Sequence, residues 1–159
     1  MQGIIKVILN LFSRKFLIKI SLILKPFFEL IFKGDRFVDP INNKSYSYFF
    51  PYGYNKLRKN ALSPGTLSLE RHRLLWIFLE KETDFFNTEN KILHIAPEQC
   101  FYKSFKKNFE SYTTCDLNSP IAEIKADVCN LPFDENEFDF VLCNHVLEHV
   151  YDDEKAMNE

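Results

Sequence analysis

The sequence predicts an α/β protein whose second half forms a parallel sheet. With 46% hydrophobic residues among 159, the chain is too apolar to be disordered and long enough for about one domain with a core. Beyond Asn90, short apolar or β-branched runs predict four strands, and a basic aromatic stretch at Glu98–Phe109 predicts a helix after the first. The strand runs are Lys91–Ala96, Ser111–Asp116, Ile124–Val128 and Phe138–Cys143. Strands that alternate with helices indicate a parallel sheet, which binds ligands beyond the carboxyl ends of its strands.

Charge and composition divide the chain into three predicted segments. These are a basic amphipathic helical leader (1–34), an aromatic turn-rich segment followed by a helix (35–90), and the segment that carries the four strands (91–159). The leader has six Lys or Arg against Glu29, a balance of +5, whereas residues 121–159 carry a balance of -9. The acidic body argues against a nucleic-acid partner, because binding to phosphates requires clustered cations.

The basic leader predicts a helix with one wide apolar face. Its longest stretch without a charge is only Val7–Ser13, too short to span a membrane. Polar residues recur every three or four positions, and Pro26 is expected to divide the segment into two helices. Two alternatives stay open: peripheral contact of residues 1–33 with the inner face of the membrane, or packing of the same face on the protein's own body or on a second subunit.

The middle segment is dense in aromatic residues and turn formers. Six Tyr or Phe fall in the stretch from Tyr46 to Tyr54, and packing is favoured over base stacking because no Lys or Arg is interspersed among them. The stretch TLSLERHRLLWIFLEKET predicts a helix capped by Thr66 or Ser68. Its charged residues Arg71, His72 and Arg73 form either a solvated face or an anion-binding site.

The four cysteines predict a cytoplasmic protein with reduced thiols. Cys100, Cys115, Cys129 and Cys143 form no Cys-x-x-Cys pair and have no histidine at ligand spacing. A disulfide or metal framework is the alternative.

Carboxylates at the predicted strand ends suit a nucleoside. Asp116 lies 20 residues after Ala96, a position from which a carboxylate can accept hydrogen bonds from both ribose hydroxyls. Asp127 could accept a bond from an adenine amino group, and Leu117, Leu131 and Pro132 could enclose the ring.

The stretch ADVCNLPFDENEFDFVLCNHVLEHV resembles the central signature of class I S-adenosylmethionine-dependent methyltransferases that act on small molecules. The resemblance covers about residues 91–152 and implies a Rossmann-like parallel sheet of seven strands, of which this chain holds about four, preceded by N-terminal helices and an irregular aromatic segment. It implies that S-adenosylmethionine is the cofactor, that Asp116 holds its ribose, and that Asp127 with the Val128 backbone binds its adenine. It also implies that Asn144 and His145 border the methionine end.

The chain departs from the family pattern at the first strand end. His94, Ala96, Pro97 and Glu98 stand where the family usually has a glycine-rich turn, and they are the remaining expected cofactor contacts. Some bacterial members carry cysteine pairs at places that correspond here to 39–42 and 63–66, which offer no zinc ligands. No metal is therefore predicted.

A rival interpretation of the last motif is a zinc peptidase site. His145, Glu148 and His149 match the inverted His-x-x-Glu-His pattern, in which two histidines on one helical face hold zinc. Such a site needs a third protein ligand, and the methyltransferase resemblance explains the same residues as the start of the helix after the fourth strand.

The predicted function is methyl transfer from S-adenosylmethionine to an unidentified small molecule or glycan-related acceptor. His145 is the candidate catalytic base, with a backbone-positioning role as its alternative. The expected sheet is incomplete, so its apolar edge strand predicts self-association or an inactive truncated chain. The competing hypothesis is a non-catalytic fragment that binds cofactor or membrane.

Overall fold

The computed structural model describes residues 14–53 and 56–159, and the chain forms two compact units, residues 1–73 and 74–159. The predictions for Val7–Ser13 and for Tyr54 fall outside the described residues. Within the described ranges, no helix has the length and apolar character needed to span a membrane.

The first unit combines one long helix with two antiparallel ribbons. Helix α1 spans Arg14–Ile31, and the strands are β1 (Lys33–Asp39), β2 (Lys44–Tyr46), β3 (Phe50–Tyr52) and β4 (Arg58–Leu62). Strand β1 pairs with β2, and β3 pairs with β4. Turn-forming residues between the strands make these short hairpins possible.

Helix α1 corrects the prediction that Pro26 separates two helices. The helix continues through Pro26 to Ile31, although an interior proline removes one backbone hydrogen bond. Packing offsets this cost, because the rings of Phe28 and Phe32 lie edge-on against Phe50 with centroids 5.5 and 4.9 Å away.

The aromatic segment packs as predicted. Tyr46 and Phe49 are buried, and their ring centroids lie 5.9 Å apart. Gly65 approaches the Tyr46 hydroxyl so closely that a Cβ atom would overlap it, which requires glycine at this turn. Arg73 lies over the Phe49 ring and donates hydrogen bonds to the backbone carbonyls of Ser68 and Ala61.

A buried polar network joins the two turn segments of this unit. The Thr66 hydroxyl donates to Asp39 Oδ2, and the backbone N–H of Ile41 donates to Asp39 Oδ1 at 3.0 Å. The Ser68 hydroxyl lies 2.7 Å from Thr66 Oγ1 and 3.4 Å from Asp39 Oδ2. We call Asp39, Thr66, Ser68 and the Ile41 N–H the Asp39 network.

This network explains why the next helix begins later than predicted. Helix α2 spans Glu70–Glu82, so it begins beyond both predicted caps, Thr66 and Ser68. The hydroxyls of Thr66 and Ser68, predicted as caps, face Asp39 instead. The Leu69 N–H at the helix start donates to His72 Nδ1 at 3.1 Å.

The second unit contains a parallel sheet, as predicted, with three strands rather than the four expected. Its strands are β5 (Lys91–Ile95), β6 (Ser111–Cys115) and β7 (Phe140–Cys143), in the order β6-β5-β7. Helix α3 (Gln99–Asn108) connects β5 to β6. A single 3-10 turn (Leu147–His149) and helix α4 (Asp153–Asn158) follow β7.

The predicted strand at Ile124–Val128 is wrong. Ile124 forms only an isolated parallel bridge with Cys115, and the N–H groups of Glu123 and Ile124 both bond to the Thr114 carbonyl. The chain then turns at Asp127, whose Oδ1 accepts from the N–H of Cys129. This early turn ends the pairing before a strand can form.

The two faces of the sheet bury different kinds of side chain. One face carries a stacked aromatic cluster in which the rings of Trp76 and Phe105 are nearly parallel with centroids 5.7 Å apart. Phe85 contacts Phe105 and Phe140 edge-on, each at 5.3 Å. The other face holds a smaller aliphatic core of Leu93, Ile95, Cys115 and Val128.

Strand β7 forms one edge of the described sheet. It pairs with β5, and no other described strand pairs with it, whereas its apolar sequence predicted neighbours on both sides. Val141 in this strand is 55% exposed. Self-association through this edge stays a prediction.

Candidate functional site

Three strands of the sheet end at the same edge. Ile95 pairs with both Cys115 and Cys143, so the residues that follow them, Ala96, Asp116 and Asn144, lie at one end of the parallel sheet. The Ala96 N–H also donates to the Cys115 carbonyl at 2.9 Å. We call this region, with Gln99 at the start of α3, the carboxyl edge.

The loop after β5 has the backbone geometry of a glycine turn. Ala96 adopts φ 50°, in the left-handed region that costs a residue with a Cβ atom about 1 kcal/mol. Pro97 is buried, and Glu98 precedes α3 without capping it through its side chain. The conformation that glycine favours is therefore present although the sequence has no glycine here.

His94 is fully buried and holds this loop through Glu98. Its Nδ1 lies 2.8 Å from the Tyr112 hydroxyl, and its Nε2 lies 2.6 Å from Glu98 Oε2. A carboxylate can only accept, so Nε2 donates to Glu98 and, in the neutral ring, Nδ1 accepts from Tyr112. Burial raises the pKa of Tyr112, which keeps its hydroxyl protonated for this role. Both nitrogens of the predicted cofactor contact His94 are thus engaged by the protein.

Two buried amides at the carboxyl edge lack acceptors. Gln99 Nε2 and Asn144 Nδ2 are buried, and neither has a hydrogen-bond partner among the described residues. A buried donor left unpaired costs about 1–3 kcal/mol, so this arrangement favours an acceptor from outside the chain. Asn144 belongs to the predicted set, whereas Gln99 was missed; its place at the first position of a helix after a strand was the available signal.

The Asp116 carboxylate is oriented by its own loop. Its Oδ1 accepts from the N–H groups of Asn118, at 2.6 Å, and Ser119. Among the described residues, Asp116 Oδ2 accepts neither of these two hydrogen bonds. The loop thereby fixes one oxygen of a carboxylate that follows β6 at the carboxyl edge, and a carboxylate at this place can accept from a hydroxyl donor.

The residues expected around an adenine differ in exposure. Asp127 is exposed, and its Oδ1 accepts from the Cys129 N–H at 2.9 Å. Leu117 is 47% exposed, whereas the Val128 side chain belongs to the aliphatic core. Val128 can therefore offer a ligand its backbone but not its side chain.

His145 follows Asn144 in a left-handed conformation, with φ 55°. Its Nδ1 lies 3.1 Å from Glu148 Oε1, and its side chain is 58% exposed. Hydrogen bonds from its own backbone and then from His145 hold the pKa of Glu148 below its usual value.

This local structure does not support the zinc peptidase alternative. That motif requires His145 and His149 on one face of an α-helix, but a 3-10 turn covers only residues 147–149. In residues 14–53 and 56–159, no three His, Cys, Asp or Glu side chains come together as a metal site.

The cysteines carry thiols rather than disulfides, as predicted. Burial raises the pKa of the Cys115 thiol to about 11, and burial also raises that of Cys143. Both therefore stay protonated near neutral pH and are poor nucleophiles.

A comparison with known families matches residues 88–159 to a family model described as a methyltransferase domain. The match contains 72 residues, slightly less than half of the chain, and includes the whole carboxyl edge. No curated protein and no solved structure matches the chain. Residues 88–159 are thus similar to a methyltransferase domain, and they contain a partial Rossmann-like parallel sheet.

Proposed function

We propose that the carboxyl edge binds S-adenosylmethionine and that the chain transfers its methyl group to a small-molecule or glycan-related acceptor. The observation that carries the proposal is that the buried amides of Gln99 and Asn144, which have no acceptor among the described residues, share the carboxyl edge with the Asp116 carboxylate. The carboxylate and ring nitrogens of the cofactor can accept hydrogen bonds from such amides. Its hydroxyls can donate hydrogen bonds to such a carboxylate.

The chain's groups fit the two ends of this cofactor in different ways. Asp116 Oδ2 would accept from the ribose hydroxyls, while Asp127 and the Val128 backbone would bind the adenine beside Leu117. The amides of Gln99 and Asn144 would donate to the methionine end. Helix α3 begins at Gln99 and places the positive end of its dipole at this edge, which favours the methionine carboxylate. His94 would act through Glu98, as a positioning residue for the loop.

The bound cofactor would supply an electrophilic methyl group on a sulfonium, so the protein contributes mainly position. Because Glu148 accepts from His145 Nδ1, the neutral imidazole has its lone pair on Nε2. That nitrogen could take a proton from an acceptor hydroxyl or amine, while a role for His145 in holding the Asn144 backbone remains the alternative.

The exposure of His145 favours a second candidate function, non-catalytic cofactor binding. A general base works best where water is excluded, yet more than half of this side chain is exposed. Formation of S-adenosylhomocysteine in the presence of sugar and glycolipid fractions separates the two functions. Turnover that His145→Ala abolishes supports catalysis, whereas binding without turnover supports the second function.

Calorimetric titration of the full chain with S-adenosylmethionine tests the shared binding claim. Asp116→Asn keeps one oxygen for the Asn118 and Ser119 N–H groups but replaces the other with a donor, and should weaken binding at least about tenfold. Asp134→Asn, at an exposed acid, is the matched control and should bind as the wild type does. Absence of heat for the wild type at millimolar cofactor, or equal affinity for Asp116→Asn, would contradict the proposal.

A further inference from the structure

Helix α1 exposes a continuous apolar stripe. Six large hydrophobic residues recur at intervals of one or three positions that place them on one helical face, and all are exposed. Ile23 and Leu30 are each 75% exposed. The stripe consists of Ile20, Ile23, Leu24, Phe27, Leu30 and Ile31. Contiguous exposed apolar surface of this kind marks an interaction site.

The helix contacts the rest of its unit through other residues. Phe28 and Phe32 pack on Phe50, and Glu29 forms an ion pair with Lys44 at 2.6 Å. At 100° per residue, Glu29 lies on the side of the helix opposite the centre of the stripe. Among the described residues of this unit, the side of α1 opposite the stripe therefore packs on the rest of the unit. The stripe itself is left to contact an external surface.

The charge of the segment selects the kind of surface. Residues 1–34 carry a net charge of +5, and their single acid, Glu29, is paired with Lys44. A second copy of the chain would bring two such basic segments together, which opposes dimerisation through the stripe. A nucleic acid would be attracted by the charge, but its phosphate backbone does not complement six exposed aliphatic and aromatic side chains. An anionic lipid surface complements both features.

We propose that α1 binds an anionic membrane surface and lies in its plane, with the stripe in the interfacial layer. The helix is about 27 Å long and carries five charged residues along its length, which suits a parallel orientation. Each lysine or arginine near an anionic leaflet adds to the attraction, so binding should weaken as the salt concentration rises. This inference is independent of the methyltransferase proposal.

Co-sedimentation of the full chain with vesicles tests this inference. The vesicles contain phosphatidylcholine alone or phosphatidylcholine mixed with phosphatidylserine, each at low and high salt. The test variant replaces Ile23 and Leu30 with serine, and the matched control replaces Val38 and Leu57, which are 60% and 51% exposed elsewhere in the same unit. Thermal melting of both variants checks that they fold.

The inference predicts that wild type and control pellet with the phosphatidylserine vesicles at low salt. The Ile23→Ser, Leu30→Ser variant should bind at least about tenfold more weakly, because two large apolar side chains no longer enter the lipid. Wild type that stays in the supernatant, or equal loss in both variants, would overturn it. So would sedimentation analysis showing that the stripe forms a dimer interface while vesicle binding is unaffected by the test variant.

Discussion

The Asp39 network and the carboxyl edge both bury polar side chains, but only the network satisfies them with protein groups. Asp39 accepts from the Thr66 hydroxyl and the Ile41 N–H, whereas the amides of Gln99 and Asn144 have no acceptor in the described residues. A closed network of this kind stabilises a fold, and an open one favours a ligand. Asn60 Oδ1 in β4 and Trp76 Nε1 in α2 also lack partners among the described residues, and nothing in the structure explains them.

The largest effect is expected inside the Asp39 network. Asp39→Ala leaves the Thr66 hydroxyl and the Ile41 N–H without their acceptor and should lower the free energy of unfolding by about 3 kcal/mol. Urea denaturation followed by circular dichroism measures the change. Asp35→Ala, an exposed acid in the same strand, should stay within about 0.5 kcal/mol of wild type. Equal losses in the two variants would mean that the network does not stabilise the fold.

His94 shares a property with each of the two regions. Its ring nitrogens have hydrogen-bond partners within the protein, and it supports the loop of the carboxyl edge. His94→Leu leaves the Tyr112 hydroxyl without its acceptor and Glu98 without its donor, and should cost about 2 kcal/mol of unfolding free energy. Tyr112→Phe removes one of these bonds and should cost about 1 kcal/mol. Denaturation with and without S-adenosylmethionine checks both values. A more stable His94→Leu protein would show that the chain of bonds is unimportant.

The comparison becomes sharper at Gln99, where stability and binding should change in opposite directions. Gln99→Met removes an unpaired buried donor, so the free energy of unfolding should hold steady or rise by up to about 1 kcal/mol. Affinity for S-adenosylmethionine should fall about tenfold, because an amide-to-ligand hydrogen bond is lost.

Calorimetry and urea denaturation on the same preparation measure the two effects. Lys103→Met, at an exposed position of the same helix, is the control and should change neither quantity appreciably. A Gln99→Met protein that binds as tightly as the wild type would show that the amide has no role in the site.

The smallest effect concerns Tyr46, which packs beside the Asp39 network. Burial, the largest cause, raises the pKa of its hydroxyl from 10.0 to about 12. The folded state keeps a proton that the unfolded chain loses near pH 10, so this contribution is complete below that pH and declines as pH rises toward 12. At pH 11 the loss should be about 1 kcal/mol.

Denaturation at pH 9 and pH 11 measures this loss, and Tyr46→Phe should reduce it by about 1 kcal/mol. The part that remains includes Tyr112, whose pKa burial also raises. An unchanged pH dependence in Tyr46→Phe would contradict the assignment to Tyr46.

The strands that bury apolar runs could be predicted from sequence, because their pattern depends on local residues alone. Strands β5 and β6 begin where predicted and end one residue earlier, at Ile95 and Cys115. Ile124–Val128 has a similar composition, yet the turn at Asp127 prevents pairing. Pro26 likewise suggested a break that the contacts of Phe28 and Phe32 override. These outcomes depend on distant partners, which a local pattern does not contain.

The site could be predicted in the same partial way. Asp116 and Asn144 follow strands, so the parallel sheet necessarily brings them to one edge. That His94 turns into the interior, and that Gln99 is left without an acceptor, depends on side-chain packing. Neither could be inferred from residue type and spacing.

The most direct test of the central claim is the response of the two amides to a ligand. In the ¹H–¹⁵N NMR spectrum of the full chain, adding S-adenosylhomocysteine should shift the side-chain amide signals of Gln99 and Asn144 strongly. Those of the exposed Asn108 and Asn136 should stay in place. Saturating ligand that leaves the Gln99 and Asn144 amides unmoved would contradict the account of the carboxyl edge as an open, ligand-completed site.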